Sequence, residues 1–133
     1  MNNDVKQLLL ADGQSIPQEG FGLYKITDQS TITSAIKYAY DAGYRLFDTA
    51  QLYKNEAEVG NALQELGLPR EDLFITTKVS EPNQGFKQTI ASVKDSLQKL
   101  RLDYVNLLLI HWPIERAFFD TWAALEELKK EGL

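Results

Sequence analysis

Short apolar runs alternate with amphipathic stripes along this chain. Residues 44–50, 73–79 and 104–111 read as strands, and their near-continuous apolar character suits a sheet buried on both faces. Ile32, Ala35, Ile36 and Ala39 fall at i, i+3, i+4 and i+7, predicting a helix capped by Thr27 or Asp28 and closed by Gly43. Val59, Ala62, Leu63 and Leu66 repeat that spacing, with Asn55 as the expected cap, Glu58 three residues on and Gly67 past the end. Phe86, Ile90, Val93, Leu97 and Leu100 predict a third helix, and Phe118, Trp122, Leu125 and Leu128 a fourth, each stripe facing the core. Upstream, residues 6–16 read as a hairpin around the Asp12-Gly13 turn, and residues 19–24 as the first strand of the main sheet. The expected order is a hairpin, then β-α four times. Strand starts lie about 30 residues apart, the size of a βαβ unit, and right-handed crossovers make the sheet parallel.

Composition narrows the function. The 133 residues suit one domain, and 44% hydrophobic with 25% charged residues excludes wholesale disorder. With 14 basic and 19 acidic residues the formal charge is −5, which argues against a nucleic-acid partner. The absence of cysteine excludes disulfides, thiolate metal sites and cysteine nucleophiles. One histidine leaves only carboxylates as metal ligands, and their spacing collects none, so no metal is expected. The opening residues carry one lysine and a three-leucine run, too short for a secretory core. The longest apolar stretch, residues 107–110, falls far short of the roughly 20 needed to span a bilayer. No membrane association and a cytoplasmic location are the expectation.

In parallel α/β folds the active site lies at the carboxyl ends of the strands. Asp48, Lys78 and His111 stand at or near those ends, and Tyr53 follows in the loop past Asp48. Singly, each has a structural reading. Asp48 suits a loop cap, Lys78 a snorkelling side chain, and His111 a satisfied core histidine. Together they suggest more. A lysine at the end of a buried strand needs a counter-charge, which Asp48 supplies from the neighbouring strand. A cation beside a phenol favours the phenolate, so Tyr53 is suited to pass a proton near neutral pH. His111 is placed to hydrogen-bond a substrate oxygen. The set suits carbonyl reduction, in which a cofactor supplies hydride and Tyr53 the proton.

Residues 43–60, from Gly43 through Asp48, Thr49, Ala50, Tyr53, Asn55 and Glu56 to Gly60, resemble the first signature of the aldo-keto reductases. Residues 74–78 are similar to that family's lysine strand, and residues 107–113 to its histidine strand. The resemblance covers essentially the whole chain, hairpin included, and is nearest in style to bacterial diketogluconate, glyoxal and methylglyoxal reductases. It implies a (β/α)8 TIM-barrel type fold, of which residues 1–133 are a single partial domain: a hairpin and the first four βα units, a half barrel. It implies a catalytic tetrad of Asp48, Tyr53, Lys78 and His111, with NADPH as cofactor and a small-molecule carbonyl as substrate. Gly22, Leu23 and Tyr24 match the family's first loop, so with Asp48 they are expected at the cofactor. Tyr24, His111 and Trp112 are expected at the substrate. Leu23 stands where the family usually has threonine, and Tyr24 where tryptophan is commoner.

The resemblance also implies a further strand leading to a Gly-x-Ser-Asn segment, and later loops that grip most of the NADPH, all beyond residue 133. Four strands do not close a barrel of that size, and the outer strands expose backbone edges. Self-association through those edges is one expectation; a catalytically silent, truncated half barrel acting only by association, or lacking independent function, is the alternative. A flavodoxin-like receiver domain would also suit the length, Asp48 and Lys78. It leaves the signature around residues 48–60 unexplained, and the hairpin supplies no acidic pair at a strand end.

Overall fold

The computed structural model describes residues 5–133. Strands β1 (Gln7–Leu9) and β2 (Ser15–Pro17) form the expected antiparallel hairpin. Its turn puts Gly13 at φ +86°, a conformation that favours glycine, and the Asp12 carboxylate accepts from the Gln14 N–H at 3.0 Å. The hairpin sits by the amino-terminal end of the main sheet, where Asp12 meets Lys129 of the last helix at 3.4 Å.

The main chain then alternates. β3 (Gly20–Gly22), β4 (Leu46–Asp48), β5 (Phe74–Val79) and β6 (Leu107–Ile110) pair in that order, all parallel. Between and after them run α1 (Gln29–Asp41), α2 (Glu56–Leu66), α3 (Phe86–Leu100) and α4 (Phe118–Glu131). The register sets Gly22 beside Asp48, Asp48 beside Thr76, and Lys78 beside Leu109. The strands are shorter than the apolar runs. Side chains also bond the backbone near their ends: the Arg45 guanidinium binds the Tyr40 and Tyr44 carbonyls, and the Asn106 side chain accepts the Ile75 N–H.

One sheet face packs on the helices. Phe47, Ile75 and Val79 meet Ile32, Ile36, Val59, Leu63, Val93, Leu97, Leu100 and Leu128 in a single buried cluster. Burying each large side chain contributes about 1.5–3 kcal/mol. Helix α2 approaches α3 closely at Gly60, where an added Cβ would run into the backbone of Lys99 and Leu100.

The caps resolve in two ways. Asp28, not Thr27, caps α1, its carboxylate accepting from the Thr31 N–H at 3.0 Å. Asn55 precedes α2 but makes no capping bond, because its side chain is drawn inward to other partners. The fourth stripe holds at Leu128, which is buried, and at Leu125, which packs on the core, and is corrected at Trp122. Helix α4 buries Thr121, Ala124 and Leu128, while Trp122 is 57% exposed and bonds Glu126 at the surface. Thr121 accepts from the N–H of Gly85, just before α3, and Trp122 borders a recess shared with Leu107 and Leu108 of β6. That edge has no further strand among the described residues, so β6 is only partly covered, with Leu109 38% exposed. No described helix is long and apolar enough to cross a membrane.

Candidate active site

Successive side chains of a strand point to opposite faces. On β5, Thr77 reaches back to Glu56 of α2, so Lys78 turns to the other, concave face. There its ammonium donates to Asp48 Oδ2 at 2.8 Å, to the Thr49 carbonyl at 3.1 Å and to the Tyr53 hydroxyl oxygen at 3.1 Å. All three donors of the ammonium are therefore used. The Lys78–Asp48 pair is only partly exposed, which strengthens it relative to a surface pair.

Tyr53 closes a short 3-10 turn, Gln51–Tyr53, that follows β4. Lys54 then takes a left-handed conformation, φ 56°, which lifts the chain into α2. The phenol oxygen accepts from Lys78, so the phenol's own hydrogen is free to point at a ligand. The Tyr53 ring lies 5.0 Å from the ring of Tyr24 and 5.8 Å, edge on, from that of His111.

His111 comes directly after β6, held by its backbone N–H on the Val79 carbonyl at 3.0 Å. Its Nδ1 is buried without a hydrogen-bond partner among the described residues. Packing against Tyr53 and the parallel ring of Trp112 orients the imidazole. Burial, and then the charge of Lys78, hold His111 below the ordinary histidine value, against the opposing charges of Asp48 and Glu81. Near neutral pH the ring is neutral.

The structure thus brings Asp48, Tyr53, Lys78 and His111 to one place, with Tyr24 and Trp112 exposed at its rim. A Cβ on Gly22 would meet nothing within 4 Å, so there is open space beside the top of β3 next to Asp48. Leu23 differs in kind from these. Its side chain is fully buried, its N–H binds the Asp48 carbonyl, and its own carbonyl accepts from Asn55. It supports the loop and has no free polar group to offer a cofactor.

Several polar residues hold the site in ways that the sequence pattern does not indicate. Asn55, fully buried, donates to the Leu23 and Ile26 carbonyls at 2.8 and 2.9 Å and accepts from the Thr49 hydroxyl at 2.6 Å. Gln51 accepts from the Ser80 and Asn83 side of β5 and donates to Ser92 and Ser96 of α3. Gln84 donates to the Trp112 carbonyl and accepts the Ile114 N–H at 3.1 Å. Glu56, behind the sheet, accepts from Thr77 and Ser96 at 2.7 and 3.1 Å. A recess of about 920 Å³ opens between α2 and α3 on that side, and none of the four site residues lines it.

A parallel βα sheet with a lysine–aspartate–tyrosine set and a histidine gathered at its carboxyl edge defines a barrel-type enzyme class with its chemistry at the strand tops. The family model described as the Aldo/keto reductase family matches residues 20–133, and the chain belongs to that family. It is 46% identical over 123 residues to the glyoxal reductase of Bacillus subtilis, covering 92% of this chain and 45% of that protein. It is 49% identical over 122 residues to methylglyoxal reductase DkgB of Escherichia coli O157:H7, covering 90% and 45%. Among solved structures, an aldo/keto reductase from Brucella melitensis superposes with a TM-score of 0.92 at 43% identity, covering 99% of this chain and 51% of that one. An aldo-keto reductase of the silkworm, Bombyx mori, crystallised in complex with NADPH, superposes at 0.90 with 38% identity, covering 98% and 46%. The fold is of the (β/α)8 barrel type, and the described residues form its first four βα units. The chain spans about half the length of the relatives it matches.

Proposed function

We propose that these residues are the acid-base half of an NADPH-dependent reductase that converts small aldehydes and ketones, dicarbonyls or keto-sugars among them, to alcohols. The carrying observation is the Lys78 ammonium set between the Asp48 carboxylate at 2.8 Å and the Tyr53 hydroxyl at 3.1 Å. The names of the similar glyoxal and methylglyoxal reductases support the substrate class, and the silkworm relative's NADPH complex supports the cofactor. A freely diffusing nicotinamide cofactor suits a cytoplasmic setting.

The residues present fit the reacting end of that cofactor. Gly22, Tyr24 and Asp48 would border it beside the open space at the top of β3. When bound, it supplies the hydride that reduces the carbonyl carbon. His111 and Tyr53 hold the carbonyl oxygen, with Tyr24 and Trp112 walling the substrate. Tyr53 gives that oxygen its phenolic proton as negative charge develops there, completing the alcohol. The Lys78 ammonium then stabilises the phenolate until solvent returns a proton, and Asp48 keeps the ammonium aimed.

The test is NADPH oxidation by the purified chain with methylglyoxal, beside its Tyr53→Phe variant. Turnover lost in the variant, with folding unchanged, supports the reading; equal turnover overturns it. A second reading rests on the exposure of Leu109 on β6, one strand from Lys78. Here the outer strands pair with a second copy, and the chain acts by association alone. Monomeric sedimentation, or NADPH binding by the monomer, overturns that reading.

A further inference from the structure

Four loops leave the carboxyl ends of β3, β4, β5 and β6, and they carry Tyr24, Tyr53, the segment after Lys78, and His111 with Trp112. Each loop is tied to the next by the carboxamide of one asparagine or glutamine. Asn55, in the loop after β4, grips the Leu23 and Ile26 carbonyls in the loop after β3. Gln51, at the start of the Tyr53 turn, takes the Ser80 N–H and the Asn83 amide in the loop after β5 at 2.9 Å each. Gln84, in that same loop, takes the Trp112 carbonyl and the Ile114 N–H in the loop after β6. A carboxamide suits this task because it offers donors and an acceptor at once, so one side chain satisfies both kinds of partner without bringing a charge near the Lys78–Asp48 pair.

We infer that Asn55, Gln51 and Gln84 are positioning residues that stitch the four loops into one rim and so set the separations within the tetrad. The assignment rests on the reductase reading for its kinetic consequences but not for its structural ones. Asn55 fixes the loop of Tyr24 against that of Tyr53, and so the width of the substrate pocket. Gln51 fixes the Tyr53 turn against the end of the lysine strand, and so the contact between the Lys78 ammonium and the phenol. Gln84 fixes the segment of His111 and Trp112.

The roles are separable by ring-labelled NMR of the full chain. Tyr24–Tyr53 and Tyr53–His111 cross-relaxation follow from ring separations of 5.0 and 5.8 Å. Lys78 side-chain to Tyr53 ring cross-relaxation follows from a separation of 4.8 Å. Asn55→Ala is expected to weaken the first signal at least about twofold and spare the second; Gln84→Ala does the reverse; Gln51→Ala weakens the lysine–tyrosine signal. All signals surviving in all three folded variants, or all fading together, overturns the proposal. Should Asn55→Ala not fold, Gln51→Ala and Gln84→Ala decide it.

Kinetics adds a second readout. Gln51→Ala lowers kcat about tenfold with KM nearly unchanged, whereas Asn55→Ala raises KM about tenfold with kcat nearly unchanged. The same split in both variants counts against separate roles. If the unaltered chain does not oxidise NADPH with methylglyoxal, the kinetic split cannot be read from it, and the NMR pattern alone decides the rim.

Discussion

The Thr77 hydroxyl donates to the Glu56 carboxylate at 2.7 Å, on the face of β5 opposite Lys78. Burial pushes the Glu56 carboxyl above its ordinary 4.5, despite the bonds from Thr77 and Ser96 that favour its charge. The folded chain therefore keeps this proton at a pH where the unfolded chain has lost it. Raising the pH from the ordinary glutamate value upward must then remove stability. The Glu56→Gln variant lacks that loss. Denaturation measured across this range is expected to show the native chain falling relative to the variant; parallel curves would refute the assignment.

The Lys78–Asp48 pair is partly shielded, and the ammonium has no donor to spare. A double-mutant cycle with Lys78→Met and Asp48→Asn should give a coupling of about 1 kcal/mol, between surface and fully buried pairs. Either substitution should lower turnover by about 10² or more, because Lys78→Met removes the charge that steadies the phenolate and Asp48→Asn removes the partner that holds that ammonium in place. Additive stabilities in the cycle would mean that the pair is not coupled.

Gly60 sits where α2 meets the backbone of Lys99 and Leu100. Backbone cannot move aside as a flexible side chain can. Gly60→Ala is expected to cost about 1–3 kcal/mol in chemical denaturation by forcing the two helices apart. An unchanged midpoint would show that the helix pair yields freely.

His111 is held neutral by burial and by Lys78. As the pH falls through the ordinary histidine value of 6.5, the unfolded chain takes up this proton first, and stability declines. His111→Gln should flatten the melting temperature over that window. A decline of equal slope in the variant would assign the loss to other groups.

The fold was legible where the hydrophobic pattern was unambiguous. The order of elements, the hairpin and the parallel sheet follow from near-continuous apolar runs, an Asp-Gly turn and helical stripes at the 3.6 period. Asp48, Lys78 and His111 stood out because each is a polar residue terminating an apolar strand. Asn55 and Glu58 have the spacing of a capping box, but the carbonyls of Leu23 and Ile26 compete for the Asn55 side chain, and a local pattern cannot register partners about thirty residues away. Gln51 and Gln84 lie in loops, where no periodicity distinguishes a buried amide from a solvated one. Trp122 misleads for the converse reason, since a large apolar residue on a helical stripe is exposed when the neighbouring strand has no further partner.

Two carboxylates, Asp48 and Glu56, stand on opposite sides of one strand, within reach of consecutive residues. Which of them receives the ammonium is decided by the backbone ladder that sets Lys78 beside Leu109 and Asp48 beside Thr76. A slip of β5 by one residue that carries Lys78 into the place of Thr77 would pair the lysine with Glu56 behind the sheet and leave the side chain of Val79 before Tyr53. Such a chain would still have a salt bridge, yet no cation at the phenol. Peptide groups with no charge of their own thus act as the selector between an acid-base site and an inert ion pair.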